Sequence, residues 1–256
     1  MITSTSQSNS RAVKALRKTA VILVWLLLWQ IIATAVNKEI LIVSPVVTAK
    51  RLVELATQGE FWLLSLMTLI RIIKGYLIGI VVGTAVAVLT ANIKIADEFL
   101  KPLLSVIRAT PVASFIILAL VWIRRDNVPL FATSLIVIPI IWANVTQGIY
   151  SADRDLLEMA KVFGFSKRKK LFKIYVPSVM PFFFAGCSTA IGLAWKSGVA
   201  AEVLSLPSLS IGKELYYSKI YIETADLFAW TVVIITLSMI LEKLLKKVLS
   251  GIGGRQ

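Results

Sequence analysis

The chain has 256 residues, of which 57% are hydrophobic and 16% charged, with a mean hydropathy of +0.82. Soluble domains run at roughly 45–50% apolar and about 25% charged, so a water-soluble globule is excluded and an all-α polytopic membrane protein is predicted. There is no histidine and the only cysteine is Cys187, which excludes a disulfide framework and any His- or Cys-based metal site. The net charge of +14 brackets apolar blocks and forms no basic–aromatic cluster, so it speaks for membrane topology and against nucleic acid.

Six spans are predicted, within a single transmembrane domain over 19–250. Residues 1–18 form a polar and then basic tail, with Arg11, Lys14, Arg17 and Lys18 leading into span one, 19–36. Ala33-Thr34-Ala35 also fits an A-x-A cleavage site, but the segment is read as a retained span. Residues 37–60 read as an amphipathic helix outside the membrane. It starts at Ser44-Pro45, turns Leu52, Val53, Leu55 and Ala56 to one face, and stops at Gly59. Phe61–Lys74 is expected to lie at the interface, where Arg71 and Lys74 snorkel. Span two is 75–92, about 27 Å at roughly 1.5 Å per residue. A loop over 93–102 leads to span three, 103–123, and Arg124-Arg125-Asp126-Asn127 is a polar turn before span four, 128–150. A long polar segment, 151–177, precedes span five, 178–200. Span six is 226–245, and 251–256 is a terminal tail.

With the amino terminus inside, 17 of the 28 Lys and Arg residues fall in inside segments and 7 outside. The bias places both termini and residues 151–173 in the cytoplasm.

Residues 151–177 are longer and more ordered in pattern than a connection between spans requires. Asp155 can cap a first helix, with Glu158 completing a capping box. Leu156, Met159, Ala160 and Phe163 then make an apolar stripe, Gly164 is a stop that takes the left-handed conformation, and Ser166 restarts a helix that Pro177 ends. Two readings fit: a basic loop resting on anionic headgroups, or a peptide that docks into a partner's groove.

The order Glu158-Met159-Ala160, Gly164, Ile174 and Val176-Pro177 resembles the E-A-A-x3-G-x9-I-x-L-P loop of ABC importer permeases, departing at Met159 and Val176. Thr68-Leu69-Ile70-Arg71 with Gly75, Lys101-Pro102-Leu103, Arg108-Ala109-Thr110-Pro111, and Ala194-Trp195 with Glu202 are similar to motifs of the nitrate, sulfonate and taurine permease group, which also includes importers of thiamine precursors. After Trp122 that group often has a glycine-containing turn that is missing here. The resemblance implies a type I ABC importer permease fold in the inner membrane, with 151–177 forming a coupling helix seated on a cytoplasmic ATPase dimer. Asp155, Glu158, Met159, Ala160, Phe163, Gly164, Ile174 and Pro177 are the coupling residues it implies. A second copy of the permease and an external substrate-binding protein are the other implied partners, besides the lipid bilayer.

Gly75, Gly79 and Gly83, and Gly186, Ala190, Ala194 and Gly198, recur every four residues as small-residue stripes. Such stripes let helix backbones approach, either as general packing or at a dimer interface around the pathway. Charges within spans are costly. Arg108 is expected toward the inner end of span three and Lys196 toward the outer end of span five, so two readings fit: Arg108 rests at the inner headgroups and Lys196 snorkels outward, or Arg108, Lys196 and Glu202 belong to the pathway, Lys196 paired with Glu202; a cationic pathway would suit an anionic solute. Gly212-Lys213-Glu214 lacks the Ser/Thr and the earlier glycine of a phosphate loop, Pro207 standing at that place. ATP and Mg are therefore assigned to the partner ATPase, and the chain carries no cofactor and no catalysis of its own. The rival is a self-sufficient secondary transporter or channel, which would commonly show repeats and acidic residues deep in a span; neither is visible. A membrane enzyme lacks a nucleophile, base or metal constellation.

Overall fold

The computed structural model describes residues 5–253 and is helical throughout its regular elements. In chain order these are α1 (Thr5–Val36), α2 (Pro45–Ala56), α3 (Gly59–Asn92), α4 (Lys94–Ala109), α5 (Val112–Ala119), α6 (Val128–Tyr150), α7 (Arg154–Val162), α8 (Lys167–Lys170), α9 (Val176–Ser205), α10 (Ile211–Ile220) and α11 (Thr224–Gly253). A 3-10 turn, Arg125–Asn127, precedes α6, and a π turn, Leu171–Tyr175, joins α8 to α9. Lys18 and the side chains before Leu16 lie outside the described residues, as do the terminal residues 254–256.

Among the described residues, five helices are long and apolar enough to cross a membrane, and a sixth crossing exists only if α4 and α5 count together. They meet at 102°, so the continuous span expected over 103–123 is corrected to a broken one. The cause is Pro111, which lacks an N–H and disfavours helical geometry at the residue before it; Thr110 is extended at φ −83°, ψ 135°. The loop expected over 93–102 is helical from Lys94 onward, starting after the extended Ile93.

Two further boundaries differ from expectation. Phe61–Lys74 is no separate interfacial segment: it is continuous with span two in the 34-residue α3, since no proline or cap interrupts it. Pro177 does not end a helix; it sits in the first turn of α9, where its missing N–H costs nothing. At α2 the Ser44 Oγ accepts a hydrogen bond from the Val47 amide at 3.3 Å with Pro45 at the first position, as the Ser-Pro pair suggests, but the helix ends at Ala56, ahead of Gly59.

The core is built on α6, packed between α3 and α9; 56% of its apolar window is buried, against 33% or less in the other crossing helices. A Cβ on Gly75 would lie 2.6 Å from the Leu130 carbonyl oxygen, on Gly79 2.5 Å from Val137 Cβ, and on Gly83 2.7 Å from the Ile138 carbonyl oxygen. The α3 stripe is thus filled by α6 of the same chain, which corrects the reading that turns it toward a second copy. On α9, Gly186 closes on Asn144 and Gly198 on Ile72, at 2.9 and 2.6 Å by the same measure. Tyr76 donates to the Cys187 carbonyl at 3.0 Å and Trp142 to Thr90 Oγ1 at 2.9 Å, so these large polar side chains enter the apolar core with partners.

Candidate functional site

Three features stand out from this scaffold. The first is the reversal between α6 and α9. Asp153, not Asp155, is the N-cap of α7: its carboxylate accepts from the Asp155 amide at 2.9 Å. Asp155 falls in the first turn, where its charge complements the helix dipole, and the capping box expected from Asp155 and Glu158 is not made. At the other end Gly164 takes φ +61°. The Phe165 amide bonds the Ala160 carbonyl at 2.9 Å and the Gly164 amide bonds Lys161 at 3.1 Å, which is the two-bond Schellman arrangement. Ser166 caps α8, accepting from the Lys169 amide at 3.3 Å.

The expected apolar stripe divides in two. Ala160 is fully buried with Ala152 and Ile174, with Leu157, Phe165 and Tyr175 packed around them. Leu156, Met159, Val162 and Phe163 are exposed, Val162 at 84% and Phe163 at 71%. Glu158 is exposed as well. The result is a short helix fixed from beneath, presenting an apolar knuckle amid Arg154, Lys161 and Lys167 to Lys170.

The second feature is a buried polar node near the far end of α9. Glu202 is 0% exposed and accepts from Thr68 Oγ1 at 2.9 Å, the Gly212 amide at 3.2 Å and Arg71. Arg71 also donates to the Leu209 carbonyl at 3.3 Å, and Thr68 Oγ1 accepts from the Ile211 amide at 3.1 Å. Glu202 is therefore the partner of Arg71 and not of Lys196, and Arg71 does not snorkel at the interface. Glu202 stands in the last turn of α9, which runs on to Ser205 beyond the end expected at residue 200. Thr68, Arg71 and Glu202 stand in motifs legible in the sequence; Gly212, noted only as a failed phosphate loop, is where the backbone closes on Glu202 so tightly that a Cβ would overlap its side chain.

The third feature is a cavity of about 460 Å³ at the α4–α5 break, lined by Ile107, Arg108, Val112, Ile136, Pro139, Ile140, Leu193, Lys196 and Ser197. The break brings Arg108 and Lys196, expected toward opposite membrane faces, to one wall. Neither is in a salt bridge among the described residues. No side chain caps the N-terminus of α5, where Val112 lines the cavity.

Among the described residues no cluster of His, Cys, Asp or Glu could hold a metal. Five or six helices long and apolar enough to cross a membrane, an exposed apolar reversal on a rigid base and an apolar-walled cavity holding two cations at a broken helix are the features of a membrane transport subunit. The family described as "Binding-protein-dependent transport system inner membrane component" matches residues 61–249, and the chain belongs to it. It is a family of non-catalytic ABC importer permeases. The bicarbonate transport system permease CmpB of Synechocystis sp. is 31% identical over 204 residues, covering 75% of this chain and 72% of that protein. The nitrate import permease NrtB of Leptolyngbya laminosa is 31% identical over 151 residues, 58% of this chain and 53% of that one. The crystal structure of an amino acid ABC transporter with histidines superposes with a TM-score of 0.60 at 18% identity, over 75% of this chain and 91% of its own, which establishes the fold.

Proposed function

We propose that this permease docks its ATPase through the α7–α8 reversal and passes a small oxyanion along the Arg108–Lys196 cavity. The observation that carries the docking role is the α7 knuckle. Met159, Val162 and Phe163 are apolar and exposed, while Ala160, Ile174 and the Gly164 turn hold the helix against the spans. A groove-binding helix needs that combination, since apolar anchors give affinity and a rigid base transmits displacement. Asp155 and Glu158 border the anchors, and Pro177 begins the long α9 that carries the motion into the bilayer. The basic bias of 151–173 supports a cytoplasmic position for this segment and for both termini, in the inner membrane.

For the solute, two unpaired cations share one cavity with apolar walls and no acidic lining residue. The uncapped start of α5 adds a favourable end of a helix dipole, as broken helices do at anion sites in transporters. Bicarbonate and nitrate, the solutes named for the two relatives, are small oxyanions of the kind such a cavity suits; a thiamine precursor is a poorer match to two positive charges. A second copy of the chain completes the pathway, and an external binding protein delivers the solute.

Co-purification of the tagged chain with its candidate ATPase tests the docking role. The wild type is expected to hold the ATPase, and Glu158→Lys and Gly164→Pro to release it while the permease stays folded. Equal retention by all three rejects docking at α7. Uptake of nitrate and bicarbonate into proteoliposomes, wild type against Lys196→Gln and Arg108→Gln, tests the solute reading.

A further inference from the structure

A second, larger cavity of about 870 Å³ lies where the ends of α3 and α6 and the start of α9 meet the reversal. Its wall is apolar on the side of the spans, with Val88, Val145, Val179 and Phe183. On the side of the reversal it carries Arg154, Lys167 and Lys170. No Asp or Glu lines it, and none of these three cations is in a salt bridge among the described residues. The cavity is therefore two-ended: unpaired positive charge at one end, hydrocarbon at the other.

That polarity selects the occupant. A soluble anion would use the charges and leave the apolar wall wet, and a neutral lipid would leave three cations unpaired. Along α3 the lining runs from Thr84 to Asn92, about 12 Å at roughly 1.5 Å per residue, most of the ~15 Å depth of one leaflet. The cavity is also distinct from the one at Arg108. On α6 that cavity uses Ile136, Pro139 and Ile140, whereas this one uses Val145, Ile149 and Tyr150 further along the helix, and the two share no lining residue.

We propose that this cavity binds an anionic phospholipid, its phosphate held by Arg154, Lys167 and Lys170 and an acyl chain laid against Val88, Val145, Val179 and Phe183. Basic pockets between spanning helices at a membrane surface take such headgroups. The lipid would brace the reversal against the spans, so that the element next to α7 is set in part by the bilayer. The inference rests on the chain being a membrane protein and not on α7 being the docking element.

The test is lipid retention by the full-length chain, purified from nanodiscs of equimolar phosphatidylglycerol and phosphatidylcholine and read as bound lipid by native mass spectrometry. The wild type is expected to retain phosphatidylglycerol preferentially. The triple variant Arg154→Gln, Lys167→Gln, Lys170→Gln is expected to lower that preference by about tenfold or more. Val88→Trp, which fills the apolar end and spares the cations, is expected to lose both lipids while its helical circular dichroism is kept. Three outcomes overturn the proposal: no preference in the wild type, an unchanged preference in the triple variant, or full displacement by glycerol 3-phosphate, which would make the site one for a soluble anion. Because the readout is bound lipid, it stands or fails separately from ATPase docking.

Discussion

Arg71 on α3 and Glu202 on α9, 131 residues apart, form an ion pair whose side chains are 10% and 0% exposed. Thr68 and the Gly212 amide complete the coordination of the carboxylate, so two crossing helices and the first turn of α10 converge on one side chain. A lone buried charge is far more costly than a buried pair. Glu202→Ala is therefore expected to destabilise by about 3–5 kcal/mol, read as a lower unfolding temperature in detergent. The double variant Arg71→Met with Glu202→Leu, which removes both charges and keeps volume, should recover most of that loss. A double variant as weak as the single one would mean that the node works through its hydrogen bonds and not through charge pairing.

Gly164 gives a prediction with a different physical origin. A Cβ there would meet nothing within 4 Å, yet the residue stands at φ +61°, so the demand is for conformation and not for space. Left-handed geometry costs an ordinary residue roughly 1–2 kcal/mol, and asparagine less. ATPase retention is expected to fall in the order Gly164→Asn, Gly164→Ala, Gly164→Val, following tolerance of positive φ. A ranking by side-chain volume, with asparagine worse than alanine, would mean that this face packs directly against the partner.

What the sequence made legible follows from how local each feature is. The membrane class, the α6 range, the Ser44 and Ser166 caps and the Gly164 turn depend on composition or on residues a few positions apart. The break at Thr110-Pro111 was also locally encoded, but the apolar run across it outweighed the proline. The joining of Arg71 to Glu202 could not be read, because hydropathy treats each as a charge in search of water and gives no partner 131 residues away. Pairing Lys196 with Glu202 rests on nearness in sequence alone, and on α9 the two face different surroundings: Lys196 lines the cavity at the α4–α5 break and Glu202 binds Arg71. Arg108 and Lys196 meet only because α4 and α5 bend.

Glu214 on α10 gives a pH dependence. Burial pushes its carboxyl above the usual range, against the pull of Lys213 and helped by the like charges of Glu60, Asp226 and Glu223. A carboxyl with a raised folded-state pKa binds its proton more tightly in the native state, so its ionisation weakens the fold as pH rises through that pKa. Below the unfolded value both states are protonated and the effect vanishes. Glu214→Gln is expected to raise the unfolding temperature at pH 7 and to leave it unchanged near pH 4. A variant less stable than wild type at pH 7 would mean that Lys213 outweighs burial.

The glycine stripe of α3 separates close packing from helix propensity. At Gly79 a Cβ would stand 2.5 Å from Val137 Cβ, whereas at Gly251, in the last turn of α11, nothing lies within 4 Å. Gly79→Val must push α3 away from α6, the most buried helix, and overpacking of this kind costs typically 1–3 kcal/mol or more. Gly251→Ala meets no neighbour and replaces the poorest non-proline helix former, so its effect should stay within about 1 kcal/mol and favour the fold. Thermal unfolding of the two variants in the same detergent checks both. Near-native stability for Gly79→Val would require α3 and α6 to slide apart without loss, which the interlocked Leu130, Thr133 and Val137 contacts argue against. Because lipid tails offer little hydrophobic drive between helices, that loss of close approach is expected to appear as separation of α3 from α6 while helical circular dichroism is retained.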